Sequence, residues 1–567
     1  LTRADDQQPP ARRRGFPLVV WLIVGLQTML MLGMTVLYPT FQEPDEIAHI
    51  DYVLAHRHGE WFDAIGERQY QSGVIAANQT VPGIQFRKHI AHVAGKVPVP
   101  RSLRKSFDAL GTAPAAPGTA FPNQMTQHPP LYYGLAAGFS YLLPNFDNQR
   151  FDIQTFWLRL LSVLLLAPVP LLIYGAARRA TRNHSVAVVA AILPLSIPTY
   201  LRTGGSVTND SLITVLTIAL AALLVRVAWG DLGRRTAILV GVVWGAALLT
   251  KGFALVLPPA IVLAYLLGAG GTFKERIRVA WPGVMLSGVI GCVIGAWWWI
   301  RNLVIYGKVQ PDGFATLSDA QRQLGFGKDR AGAGEIDFFN SFFRTLGQRM
   351  WGGLGLIDTP SLPHAFLYTT SAVLVALLVV SVVLGAPGLR TRLHVSGWTA
   401  GRALSLILPT LLTLGAMYVG ARGRYLRGHQ LIGINSRYVV PTLLGLMICA
   451  AVVLDVAAGR LRRWLPPTIL LASMAFIGWS VYCVLNIEMS STDPNHTQRL
   501  DDAVHFVVGW APFPGKVSAA IVLLAGAFAV ATLVALVVGA ARRDPDDLVP
   551  LSEPEPSERL PIGSEAS

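Results

Sequence analysis

The chain of 567 residues is 52% hydrophobic and only 14% charged, with a formal net charge of +14. A soluble chain of this length carries about a quarter charged residues, so a soluble enzyme is excluded and a polytopic membrane protein is indicated. The positive charge does not argue for a nucleic-acid partner, because much of the arginine sits in short clusters between apolar runs, where orientation in a bilayer accounts for it.

In chain order, 1–16 reads as a basic cytoplasmic N-terminus and 17–38 as the first transmembrane helix, with Arg12-Arg13-Arg14 holding its start inside. Further spans are predicted near 155–177, 185–200, 210–229, 236–250, 253–268, 279–300, 364–386, 403–420, 437–457, 466–485 and 517–540. That makes about twelve crossings (between about eleven and thirteen) with both ends cytoplasmic. Basic clusters at 178–182, 231–235, 274–278, 390–392, 460–463 and 542–543 then all fall inside.

The division predicted is a first outer segment at 39–154, membrane helices at 155–300, and a second outer segment at 301–363. Membrane helices follow at 364–540, with an outer loop at 486–516, and then an acidic, disordered cytoplasmic tail at 541–567. In the first outer segment, 46–57 reads as a helix, and 130–143 as a helix at the outer interface; were 130–143 to cross, the 178–182 cluster would move outside. The apolar run 238–267 reads as two short spans hinged at Thr250-Lys251-Gly252, since a lysine at mid-bilayer is costly. Cys292, Cys449 and Cys483 lie in or beside apolar runs, with no spacing that suggests a metal site or disulfide framework.

The chemistry-bearing residues gather at the outer ends of these spans. Glu43, Asp45, Glu46 and His49 follow the first span directly. On a helix Asp45 and Glu46 share a face with His49. They read either as a general base, with Glu43, Asp45 and Glu46 as ligands for a divalent cation (Mg or Mn), or as acids favoured by a helix N-terminus. His128 and Tyr132, in His-Pro-Pro-Leu-Tyr-Tyr, either face a substrate or form an interfacial aromatic belt. Asn209 and Asp210 either line a sugar pocket or cap the next span. Lys251, alone in an apolar run, either meets a lipid phosphate or snorkels to the interface. Arg301 and Asn302 end a span beside Trp297-Trp298-Trp299, and Arg437 and Tyr438 begin another. Arg422, Arg424, Arg427 and His429 precede that last pair, making the largest exception to the positive-inside bias. Outer cations suit an anionic lipid headgroup, or simply bulk anionic lipid.

The order of Pro44-Asp45-Glu46, His128-Pro129-Pro130-Leu131-Tyr132-Tyr133, Leu248-Leu249-Thr250-Lys251-Gly252, Trp299-Ile300-Arg301-Asn302 and Ser436-Arg437-Tyr438-Val439-Val440-Pro441 resembles the GT-C glycosyltransferase superfamily. It looks most like that superfamily's bacterial predicted membrane proteins and, more distantly, its protein mannosyltransferases and lipid A aminoarabinose transferases. The resemblance implies an all-α polytopic membrane fold with a large first outer loop carrying interfacial helices. It implies an inverting transfer of a sugar from a polyprenyl-phosphate donor to a glycan, lipid or protein acceptor, on the outer face of a bacterial inner membrane. It maps the catalytic base onto Asp45, with Glu46 second, and the donor phosphate contacts onto Lys251, Arg301 and Arg437 with Tyr438 beside them. His49, His128, Tyr132, Asn209, Asp210 and Asn302 are the expected substrate contacts. The competing readings are a transporter or flippase of a lipid-linked sugar, and a non-catalytic scaffold of an envelope-synthesis complex.

Overall fold

A computed structural model describes residues 15–81, 98–116, 122–311, 334–354, 362–389, 397–428, 431, 433–487, 489 and 499–542. The basic N-terminus before Gly15, the 390–392 cluster, His429, positions 312–333 and 355–361 of the second outer segment, and the acidic tail after Arg542 lie outside the described residues. Among the described residues the elements are helical, apart from an isolated bridge between Gln71 and Pro114.

Among the described residues, eight helical stretches are long and apolar enough to cross a bilayer. A ninth candidate is the pair His184–Ser196 and Pro198–Gly204, bent by 78° at its break. The exact count of about twelve crossings is not confirmed, for two reasons. The predicted 185–200 span is the first part of that bent pair. The predicted 236–250 and 253–268 spans are helices Arg234–Leu248 and Pro258–Gly268, of 15 and 11 residues. At 1.5 Å per residue these reach about 22 and 17 Å, short of a hydrocarbon core of about 30 Å. The predicted spans at 437–457 and 466–485 form as helices Leu443–Ala458 and Leu465–Ile487, which meet at a 3₁₀ turn within the apolar stretch Ser436–Asn486.

The hinge at 250–252 forms as a true break. Lys251 is extended (φ −162°, ψ 148°) between the two short helices. Breaking a helix there frees carbonyls that a membrane interior cannot hydrate. Two buried indoles donate to such carbonyls, Trp299 Nε1 to Leu248 O (3.1 Å) and Trp244 Nε1 to Ala254 O (3.0 Å). The backbone of the hinge also docks outward, Leu131 N donating to Leu249 O (3.1 Å). Arg234–Leu248 lies tightly along Phe273–Tyr306, where a Cβ on Gly245 would fall 2.7 Å from Ile294. Small residues are what allow such close approach between membrane helices.

After the first membrane helix comes Glu46–Arg57, the helix predicted there, and it packs against Leu131–Tyr141. The latter has 11 residues, about 16 Å, too short to cross. The joint between the first membrane helix, Leu18–Leu37, and Glu46–Arg57 is gripped by two buried arginines. Arg159, from helix Phe151–Leu166, donates to both carboxylate oxygens of Glu46 (2.7 and 2.6 Å) and to the carbonyls of Thr35, Tyr38 and Pro39 (2.8, 2.7 and 3.0 Å). A guanidinium has five N–H donors in a rigid fork, and these bonds use every one. Arg202 holds Glu43 (2.7 Å) from Pro198–Gly204, donates to Gly353 O (2.8 Å), and lies over the Tyr38 ring.

Removing one partner of a buried ion pair strands the other charge at a cost of roughly 3–5 kcal/mol. Arg159→Met is therefore expected to lower the stability of detergent-purified protein by about that much, with Arg159→Met/Glu46→Gln recovering part of the loss. Thermal unfolding of the two variants beside wild type checks this; a melt of Arg159→Met equal to wild type would contradict the clamp.

Candidate functional site

The tight joint decides where each acid points. Phe41 and Asp45 both have positive φ (67° and 59°), the left-handed region that non-glycine residues seldom occupy. With Glu43 and Glu46 drawn inward to their arginines, the left-handed turn sends the Asp45 side chain the other way. Its backbone carbonyl accepts from Ala48 and His49 at the helix start, but its carboxylate makes no cap. Asp45 is instead about a third exposed and pairs with Arg437, whose side chain is nearly buried. Gln124 donates to its other oxygen (3.2 Å).

Arg437 lies on the short turn Ser436–Tyr438, set by Asn435, whose side chain accepts from Arg437 N (3.2 Å). Its Nε stands 3.2 Å from Asp210 Oδ2 without hydrogen-bond geometry, and Nη1 donates to Pro44 O (3.2 Å). Asp210 and Asn209 open the helix Asn209–Ala228, and its cap is Thr208, which accepts from Asp210 N (3.2 Å). Asn209 is thus freed from capping, and its Oδ1 accepts from Lys251 Nζ (3.1 Å). Lys251 also donates to Asp210 Oδ1 (2.5 Å) and sits 4.8 Å from the centre of the Tyr438 ring. Two acids and two cations, from four separated stretches of chain, make one nearly neutral cluster.

His49 lies beneath it. Its Nδ1 meets Tyr133 Oη (3.0 Å), its Nε2 faces Thr208 Oγ1 (3.5 Å), and the Tyr132 ring stands edge-on at 6.3 Å. Burial pushes the His49 imidazole down to about 3, so it is neutral at ordinary pH. His128 is buried with no hydrogen bond at Nδ1, and burial, with Lys251 and His49 nearby, holds it well below its ordinary value. Burial would raise the Asp45 carboxyl, but Arg437, with His49 and Lys251, outweighs it and holds the group below the usual carboxylate range.

Three expectations are corrected. Glu46, named beside Asp45 as a catalytic acid, is sealed: both oxygens meet Arg159, and the amides of Phe41 (2.9 Å) and Val207 (3.2 Å) donate to it as well. Glu43, Asp45 and Glu46 do not converge on a cation; each is turned to a different arginine, so this donor set does not fit a divalent metal. Among the described residues no other group of three His, Cys, Asp or Glu could hold one. Arg301 and Asn302 stand apart from the cluster. The Arg301 guanidinium lies over the Trp298 and Tyr306 rings and donates to Asn302 Oδ1 (3.2 Å), while Asn302 is buried and reaches Val309 O (3.4 Å). Of the more distal outer cations, Arg422 pairs with Glu335 on the surface.

Sequence reasoning missed Arg159 and Gln124. Arg159 carried a signal, being a charged residue inside an apolar run. Gln124, which opens the 3₁₀ turn Gln124–Gln127, carried none.

The family described as predicted membrane protein (DUF2142) matches residues 28–446, well over half of the chain. That match and the apolar helices together make the chain a multi-pass membrane protein. No curated protein matches. Similar solved structures include ArnT from Cupriavidus metallidurans bound to undecaprenyl phosphate, at 16% identity over 92% of this chain and 78% of that one, with a TM-score of 0.46. The archaeal oligosaccharyltransferase AglB from Archaeoglobus fulgidus, in complex with an inhibitory peptide and a dolichol-phosphate, matches at 13% identity, 87% and 55% coverage, and TM-score 0.41. Arabinosyltransferase EmbB from Mycobacterium smegmatis matches at 12% identity, 96% and 43% coverage, and TM-score 0.38. These are glycosyltransferases of the GT-C superfamily, the one whose motif order the sequence resembles.

The buried histidines set a pH dependence. A histidine held neutral in the folded state takes up its proton only in the unfolded state between its two values. It therefore costs stability as pH falls from about 6.5 toward the folded value. For His49 that window ends at about 3. His49→Gln should flatten the fall of stability between pH 6 and pH 4, by up to about 1.4 kcal/mol per pH unit. Denaturation followed across that range checks it; an unchanged slope would mean His49 is already solvated.

Proposed function

The chain belongs to this family of predicted membrane proteins, and within it we propose that it is an inverting glycosyltransferase. It moves a sugar from a polyprenyl-phosphate donor to an envelope glycan, lipid or protein acceptor, on the outer face of a bacterial inner membrane. The observation that carries this reading is the cluster itself. A partly exposed carboxylate, Asp45, stands against Arg437, with Lys251 joined to the same cluster through Asp210, at the ends of membrane helices.

In this reading Asp45 takes the proton from an acceptor hydroxyl as its oxygen attacks the anomeric carbon. The bond from that carbon to the phosphate oxygen breaks, and polyprenyl phosphate leaves. Arg437 and Lys251 stabilise the charge that grows on the leaving phosphate, as preorganised cations do. Asp210 touches both cations and acts as their positioning residue. Tyr438 supplies a ring face beside Lys251. His49, His128, Tyr132 and Asn209 lie buried beside the cluster and are the expected contacts of the sugar hydroxyls, His49 neutral and able to exchange a hydrogen bond without carrying charge. A single displacement inverts the anomeric centre.

The second reading, a flippase of lipid-linked sugars, is favoured by one feature: broken helices, at the 78° bend and at Lys251, which transporters use at their substrate sites.

The test is release of polyprenyl phosphate by purified protein in detergent from a panel of polyprenyl-phosphate sugars, wild type beside Asp45→Asn. Wild type should turn over and Asp45→Asn should lose about 10²–10⁴ in kcat, the usual worth of a general base. Equal turnover by the two would remove Asp45 from that role. No turnover from any donor, with movement of the lipid across liposomes instead, would favour the flippase.

A further inference from the structure

Arg437 serves two carboxylates that differ in their surroundings. Asp210 is buried, and it is held a second time by Lys251 at 2.5 Å. Asp45 is about a third exposed, and its other hydrogen bond comes from the neutral amide of Gln124. Arg437 also keeps a buried Nε–H without an acceptor. An anion arriving at Arg437 meets two carboxylates already beside the guanidinium, and the two differ in what their displacement costs. Displacing Asp210 would strand a charge in a dry setting, which is costly. Displacing Asp45 returns a carboxylate to water.

We infer that Arg437 is an exchange latch: at rest it holds Asp45, and the phosphate of a lipid donor displaces Asp45 from it, so that the carboxylate is released for proton abstraction only once the donor is seated. This rests on the glycosyltransferase reading and adds to it an order of events. The exchange makes and breaks hydrogen bonds only: a phosphate oxygen replaces an Asp45 oxygen as acceptor from the guanidinium.

The groups facing Asp45 are Arg437, Lys251, Asp210, His49, His128, Gln124, Tyr70 and Tyr133. With Arg437 and Lys251 neutralised by phosphate, no free cation remains among them, because the histidines are held neutral by burial. The released carboxylate is then both more mobile and more basic than at rest. Without a donor it is tied to Arg437, so acceptor hydroxyls and water are not activated. The donor must bind first.

The experiment measures binding of a polyprenyl monophosphate, without sugar, to full-length protein in detergent, for wild type and Asp45→Asn. Asparagine tolerates the left-handed backbone of position 45 and keeps an acceptor for Gln124, so the variant should fold, and a thermal melt verifies it. If Asp45 competes with phosphate for Arg437, Asp45→Asn binds tighter by about fivefold or more, the lower end of ordinary coupling between two sites. The ratio between the two proteins should also shrink in acid below the usual carboxylate range, where wild-type Asp45 becomes protonated. Equal or weaker binding by the variant overturns the latch and leaves the lipid-phosphate site standing. Binding by neither protein removes the donor reading and the latch with it.

Discussion

One guanidinium organises the end of this protein that carries the cluster. Arg159 sits within a membrane helix and directs all five donors to the joint between the first span and the helix Glu46–Arg57. Three of its acceptors are carbonyls at or just past a helix end, groups that have no partner in their own helix. The others are the two oxygens of Glu46, whose charge balances the arginine's own. An unpaired arginine at this depth would be prohibitive, and so would unpaired carbonyls. Each solves the other's problem, and the chain must turn tightly to let it happen.

That turn is what separates acids of like chemistry into different roles. Glu43 and Glu46 face inward to Arg202 and Arg159. Phe41 and Asp45 absorb the strain in left-handed backbone, at a cost of order 1–3 kcal/mol each that persists only where the surroundings over-determine it. Here the two arginine clamps do so. Asp45, between two sealed acids in sequence, is thereby the one left facing the cations of other helices.

Much of this was legible, and the gaps have physical reasons. The helix 46–57 and the break at Lys251 followed from local rules: acids in a first helical turn, and a lysine that an unbroken span could not hold. The grouping of Asp45 with Lys251 and Arg437 depended on motif order rather than on local pattern, because their contacts link distant positions, 392 residues apart for Asp45 and Arg437. Hydropathy did not fix the number of crossings, because it records apolar residues and not whether they form one bent path, as at 184–204, or two short helices, as at 234–268. Arg301 misled for a related reason. Beside three tryptophans it looked like a phosphate ligand at an interface, whereas aromatic rings themselves satisfy a guanidinium through their faces. Nothing in the residues around Gln124 marked it, since a lone amide in a four-residue 3₁₀ turn has no periodicity to break.

The neutrality of the cluster follows from where it lies. A pocket built for an anion would ordinarily stand positive, but two uncompensated cations at the edge of a membrane core are costly to keep. Asp210 and Asp45 act as resident counterions, and they do so unequally. Asp210 is bound twice and buried, so it stays with the cations through any exchange. Asp45 is bound once by a cation and is partly in water, so it can leave. With Asp45 gone and a phosphate in its place, the cluster keeps the balance of charge that made it stable at rest, while the displaced carboxylate becomes free to act. The same charge balance that lets two cations sit in a membrane protein thus supplies both the place for a ligand's charge and the base that would use it.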